Sequence, residues 1–198
     1  MSFPERQIRA VHDKDCIRVY QAYNNAIAES ALAQGTHVSP PFKMERMTWI
    51  KPSFLWMMYR AGWGFKDSGQ SRILAIDITR EGFEWALENS LLSHKANDFD
   101  DKEEWLALKR KTPVRIQWDP ERDLHLQPLS HRSIQIGLSN EAVPLYVNEW
   151  ITHISDITEQ AHKISLLIQN SQLEEAQKLL PIEKPYPLNN DLKKHLGC

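Results

Sequence analysis

Arg72-Ile-Leu-Ala-Ile-Asp-Ile-Thr79 is the stretch whose reading decides the fold. Its nearly unbroken apolar, β-branched character predicts a strand buried on both faces, at the centre of a sheet. Upstream of it Gly69-Gln-Ser71 reads as a turn. Downstream, Glu81 to Leu92 reads as an amphipathic helix that buries Phe83, Trp85, Ala86 and Leu87.

A second strand is predicted over Cys16-Ile-Arg-Val-Tyr-Gln-Ala22, where Ile17, Val19 and Gln21 share a face. Ile8 to His12 before it reads as extended. Asn24-Asn25 opens a helix to about Ala33, and Gly35 stops it. Val38-Ser-Pro-Pro-Phe42 is a rigid loop, and Met47 to Ile50 a short strand. Pro52 suits a first helical position, where its missing N–H goes unneeded. That helix runs to Ala61 and ends at Gly62.

The second half continues the alternation. Asn97 to Lys111 reads as a surface helix, with Asp98, Asp100 and Asp101 early and Lys109, Arg110 and Lys111 late, in keeping with the helix dipole. Val114 to Trp118 and His131 to Leu138 read as strands, with a turn at Asp119-Pro-Glu-Arg-Asp123. Ser139-Asn140-Glu141 opens one helix, Asp156 a second to Gln169, and Leu173 to Leu180 a third short one. The order is that of an α+β fold with a mostly antiparallel sheet and flanking helices. The expected organisation is one domain over 1–198: a core over 1–140, helices over 141–180 and an extended tail over 181–198.

Composition bounds the function. The 198 residues are 41% hydrophobic and 25% charged, as in ordinary globular proteins. A net charge of −2 argues against coating nucleic acid by bulk electrostatics, though not against a local basic groove. No apolar run is long enough to span a bilayer, and the start lacks the apolar core of a signal peptide. The two cysteines, Cys16 and Cys198, form no disulfide framework, which implies a reduced, cytoplasmic protein. Eight histidines show no metal-ligand spacing, so no metal is expected. There is no nucleophile elbow and no glycine-rich phosphate loop.

The functional signal lies in Arg46-Met-Thr-Trp-Ile-Lys-Pro-Ser-Phe-Leu-Trp-Met-Met-Tyr-Arg60. Three cations stand among large apolar side chains, where an unpaired charge is costly unless it meets a partner, water or a ligand. Arg46 and Arg60 could grip phosphate, Lys51 and Ser53 could add a charge and a hydroxyl at a helix start, and Trp49 could stack on a ring. The contrary reading pairs Arg46 and Arg60 with Asp77, Asp119 or Glu121 to lock the fold. Polar interruptions at Gln21, Arg115, Gln117, Arg132, Ser133 and Gln135 suit either a solvated sheet face or a pocket.

The run RMTWIKPSFLWMMYRAGW, with QWDPERDL, RSIQIGL and KPYP, resembles the domain-of-unknown-function family numbered 4291 over nearly the whole chain. That resemblance implies no activity. The order of segments is also similar to ADP-ribosyltransferases of the polymerase and toxin type. Tyr20-Gln21-Ala22-Tyr23, the helix to Ala33, Thr48-Trp49-Ile50 with Ser53, and Ile73 to Ile78 carry that similarity.

The second resemblance implies a split sheet and a cleft for NAD or a related nucleotide. Gln21 stands where that family has His or Arg, and Trp49 where it has Tyr. Gln135 or Glu141 would serve as the late amide or acidic residue beside the ribose. The carboxamide would take backbone hydrogen bonds near Gln21 and Ala22, and Tyr23, Arg46, Lys51, Ser53, Arg60 and Arg132 would bind the rest of the phosphorylated ligand. The alternative is a module that stacks and clamps single-stranded RNA, or binds protein, with the same Trp and Arg groups and no chemistry. A third reading gives the motif to the core alone and places function in the helices after Glu141. The sequence leaves the oligomeric state open.

Overall fold

A computed structural model describes residues 4–93 and 102–198. The fold is α+β: antiparallel sheets flanked by helices. Strand β1 (Arg9–Ala10) leads into β2 (Cys16–Tyr23), which pairs along its whole length with β4 (Arg72–Thr79). On the far side of β4 lies β8 (Ile151–Asp156), so β4 is the middle strand of three, as its apolar run predicts. Alternation divides that run between two cores. Leu74, Ile76 and Ile78 join Ile17 and Val19 in one cluster, while Ile73 and Ala75 join Tyr20 in a second.

The second sheet has the order β3 (Thr48–Ile50), β7 (Pro128–Leu138), β6 (Val114–Arg122), β5 (Ser90–Leu92). Its inward residues Ile50, Ile116, Trp118, Ile134 and Ile136 fill the first cluster. The pairs β3–β7 and β6–β7 are antiparallel, and β5–β6 is parallel. Helix α1 (Asn25–Gln34) starts where the Asn24 side chain accepts from Ile27 N–H, and ends at Gly35 with φ 72°. Helix α2 (Phe54–Ala61) lies over the second cluster with Phe54, Met57 and Met58 buried. Helices α6 (Thr158–Gln169) and α7 (Leu173–Lys178) complete that cluster through Ala161, Ile164 and Ala176.

Several expectations from the sequence are corrected. Pro52 precedes α2 rather than beginning it: Ser53 is the cap, and its hydroxyl accepts from Trp56 N–H at 3.2 Å. The helix expected to Leu92 is α3 (Arg80–Glu88), and the next residues form β5 because the edge of β6 offers Ser90, Leu91 and Leu92 a ladder. The Asp119–Asp123 turn is instead the continuation of β6. Pro120 is tolerated there because β5 reaches only Ile116 and the β6–β7 register is irregular between Pro120 and Arg122.

The helix expected from Ser139 is short, α5 (Ala142–Leu145), and widens into a π-type turn over Tyr146–Trp150 that seats both terminal rings in the core. Strand β8 went unpredicted because, as an edge strand, it buries only Ile154. The start of the helix expected from Asn97 lies outside the described residues; α4 is described over Lys102–Lys111.

The tail expected to be extended is instead part of the first core. Strand β9 (Lys184–Pro185) pairs with β1. Helix α8 (Asn190–Leu196), capped by Asn189, buries Leu192 and Leu196, and the Leu196 carbonyl accepts from Trp118 Nε1 at 3.2 Å. No helix among the described residues is long and apolar enough to cross a membrane.

Helix α3 comes so close to the π-type turn that a Cβ on Gly82 would lie 2.3 Å from Trp150 Cγ. Trp150 is buried and cannot swing aside freely. Gly82→Ala therefore destabilises the fold by about 1–3 kcal/mol through overpacking, a loss that urea unfolding followed by tryptophan fluorescence measures.

Candidate functional site

Among the described residues, the two sheets share one backbone hydrogen bond. Tyr20 N–H in β2 donates to the Lys51 carbonyl just past β3, at 2.8 Å. Alternation along an antiparallel strand then turns the N–H and C=O of Ala22 to the same side, away from β4. The next rung would give Ala22 N–H to the Trp49 carbonyl. That carbonyl accepts instead from Gln21 Nε2 at 3.1 Å and from Lys51 Nζ at 3.4 Å. The strands have parted, and the Ala22 backbone is left without a partner for its N–H among the described residues.

A cavity of about 570 Å³ occupies the gap. Ala22, Tyr23, Ile27, Phe42, Met47, Trp49 and Met57 supply its apolar and aromatic wall. A Cβ at Gly137 on β7 would stand 3.0 Å from three carbons of the Trp49 ring, so the indole lies across bare backbone and is held there.

Lys43, Arg46, Lys51 and Arg60 also line the cavity, against one carboxylate, Asp67. Asp67 already accepts from Gly69 N–H at 2.8 Å and Gln70 Nε2 at 2.6 Å. None of the four cations forms an ion pair among the described residues. The pairing of Arg46 and Arg60 with Asp77, Asp119 or Glu121 is therefore absent: Asp77 is taken by Arg18 at 2.8 Å, Asp119 by Gln135 at 2.7 Å, and Glu121 by Ser53 at 2.9 Å.

Lys51 is only 6% exposed. Burial, reinforced by the nearby positive charge of Arg60 and opposed by Asp119, pulls its amine down to about 7 from the ordinary 10.5.

Gln21 sits in the wall as a saturated node. Its amide donates to Thr48 Oγ1 at 2.7 Å and to the Trp49 carbonyl. Its oxygen accepts from Tyr146 OH at 2.7 Å and from His37 Nε2 at 3.0 Å. All four of its hydrogen-bonding positions are thereby used. His37 stacks on Phe42 at 4.6 Å, and burial lowers its pKa to about 4, so it is neutral. Tyr23 OH shares a 2.8 Å bond with Thr48 Oγ1, and burial raises it to about 12.

Of the residues singled out in the sequence, Gln21, Ala22, Tyr23, Arg46, Trp49, Lys51 and Arg60 come together here. Four do not line the cavity. Ser53 caps α2 and donates to the Glu121 carboxylate, while Phe54 N–H donates to Glu183 Oε1 at 2.7 Å. The start of α2 is thus served by the protein's own carboxylates and is not open to a ligand anion. Arg132 binds the Trp118 carbonyl at 3.1 Å and Glu5 at 3.5 Å. Gln135 bridges Gln117 and Asp119. Glu141 is exposed at the start of α5.

Sequence reasoning missed Thr48, Asp67 and Gln70 in the lining, and named Asp119 only as a partner for Arg46 or Arg60. For its place beside Gln117 and Gln135 a signal existed: Arg115, Gln117 and Asp119 alternate, and continuing β6 one residue past Trp118 puts all three on one face. No cluster of three or more potential metal-ligating side chains occurs among the described residues.

Residues 7–186 match the family described as Domain of unknown function (DUF4291), and the chain belongs to that family. No curated protein matches it.

Two outcomes follow from the wall of the cavity. Gln21→Leu takes away the oxygen that Tyr146 OH and His37 Nε2 share, and lowers unfolding stability by about 2–4 kcal/mol in urea. Lys51 has a folded pKa below its unfolded value, so between about pH 7 and 10.5 the unfolded chain holds a proton that the folded chain lacks. Its contribution to stability therefore rises with pH across that window. Lys51→Met removes this slope and melts several degrees higher at pH 7, as differential scanning calorimetry across pH reads directly.

Proposed function

We propose that the cavity binds NAD or a related nucleotide, and that the two parted antiparallel sheets are an ADP-ribosyltransferase-like architecture. The observation that carries this reading is the opening beyond the Tyr20–Lys51 contact, which places an unpartnered strand amide beside unpaired cations and two rings. A carboxamide can take the Ala22 N–H as an added strand would. Arg46 and Arg60 hold the pyrophosphate, where their guanidinium forks suit phosphate oxygens. Trp49, braced on Gly137, and Tyr23 present ring faces to the planar parts of the ligand.

In this reading Gln21 is a positioning residue: its saturated amide fixes the Trp49 carbonyl and Thr48 and leaves nothing for the ligand. Gln135 likewise acts through Asp119, whose negative charge is felt by Lys51. Any glycosyl transfer at the site would rest on orientation and on the field of these fixed charges.

The test is calorimetric titration of NAD, ADP-ribose and a single-stranded RNA oligonucleotide. ADP-ribose binds the native chain, and Arg46→Ala and Arg60→Ala each weaken it by about tenfold, the loss of one charge-assisted contact. Both variants alter exposed side chains, so melting curves stay unchanged. If no nucleotide binds at millimolar concentration, the reading fails. RNA binding that weakens steeply with salt, with no nucleotide binding, assigns the groove to nucleic acid instead.

A further inference from the structure

Lys51 is an unusual wall residue for a site that needs only positive charge. Arg46 and Arg60 are exposed and keep their charge in water, whereas Lys51 is 6% exposed. Its Nζ makes one long hydrogen bond, 3.4 Å to the Trp49 carbonyl, and no ion pair among the described residues. The two charged groups that act on it come from different elements, Arg60 of α2 and Asp119 of β6, and Asp119 is already engaged by Gln135. A buried amine beside a second cation at a cavity wall is how proteins make a lysine nucleophilic.

We propose that Lys51 is a catalytic amine, whose Nζ condenses with the aldehyde of a phosphate-bearing sugar or other phosphorylated aldehyde held by Arg46 and Arg60. The Nζ lone pair attacks the carbonyl carbon, and one N–H proton passes to the carbonyl oxygen. The carbinolamine then gives up its second N–H proton to that oxygen, which leaves as water, and a C=N bond to Lys51 remains. Nothing is oxidised or reduced. Burial favours the neutral amine that this step needs, since its pKa is brought to about 7. The inference rests on the preceding reading only in requiring that the cavity take a phosphorylated ligand. The free ribose of ADP-ribose, which opens to an aldehyde, is one member of that class.

The experiment treats the native protein with pyridoxal 5′-phosphate as the probe, traps imines with borohydride, and maps modified lysines by peptide mass spectrometry. Lys51 is modified at least about tenfold faster than any other lysine at pH 7.5, because ordinary lysines are almost wholly protonated there. ADP-ribose or pyrophosphate protects it, and pyridoxal without the phosphate loses the preference. Lys51→Met removes the buried amine and cannot form an imine; it melts cooperatively and shows no fast-labelled site. Labelling spread over surface lysines with Lys51 no faster overturns the proposal, as does a fast site that survives in Lys51→Met. If nucleotides fail to bind while the probe still marks Lys51 selectively, the nucleotide reading falls and this one stands. If nucleotides bind and Lys51 stays unmodified, the reverse holds.

Discussion

The backbone hydrogen bond from Tyr20 N–H to the Lys51 carbonyl is the hinge of this architecture. It ties the three-stranded sheet to the four-stranded one and also fixes where they separate. Tyr20 itself is buried against Phe54 of α2, with ring centroids 5.6 Å apart, so the contact is locked from the side of the second core. On the other side, Ile17, Val19 and Ile50 pack into the first core. Two residues further along β2, the Ala22 N–H finds no rung on the side of β3, and the Gln21 side chain takes over. It spans the gap that a backbone rung would have closed, and reaches Thr48, the Trp49 carbonyl, Tyr146 and His37. The cavity is therefore stable as an opening, because the groups around it satisfy one another and not a ligand.

The charges are arranged on the opposite principle. Elsewhere on the molecule several arginines are matched: Arg18 with Asp77, Arg72 with Asp156, Arg80 with Glu84. Around the opening, Lys43, Arg46, Lys51 and Arg60 stand unmatched among the described residues, and the carboxylates close by are held by other donors. A protein gains no stability from such an arrangement, and Lys51 in particular works against folding. Local rules broken without structural gain are expected at functional sites.

How far the sequence disclosed this follows from which forces act locally. The apolar runs of β2 and β4, the capped ends of α1 and the glycine stop after α2 depend on neighbours in sequence, and they were legible. β5, β8 and α8 were not. Their residues are ordinary loop or helix formers that take their form from a partner: the edge of β6, the edge of β4, and the face of Trp118. The cluster of Arg46, Trp49, Lys51 and Arg60 was legible as charge among rings, because that conflict is visible in one segment. The joining of Gln21 and Ala22 to that segment was expected only from the order of elements. The place of Ser53 was misread because its carboxylate partner, Glu121, and the neighbouring Glu183 are 68 and 129 residues away from their contacts in the chain.

The central claim is that the amine of Lys51 is desolvated and unpaired at an opening lined by other cations. Following the side-chain resonances of Lys51 by NMR through a pH titration, with and without ADP-ribose, tests it most directly. The account predicts a midpoint near 7 in the free protein, moving upward when the phosphates arrive and favour the charged form. A midpoint near the ordinary 10.5, unmoved by the nucleotide, would contradict it.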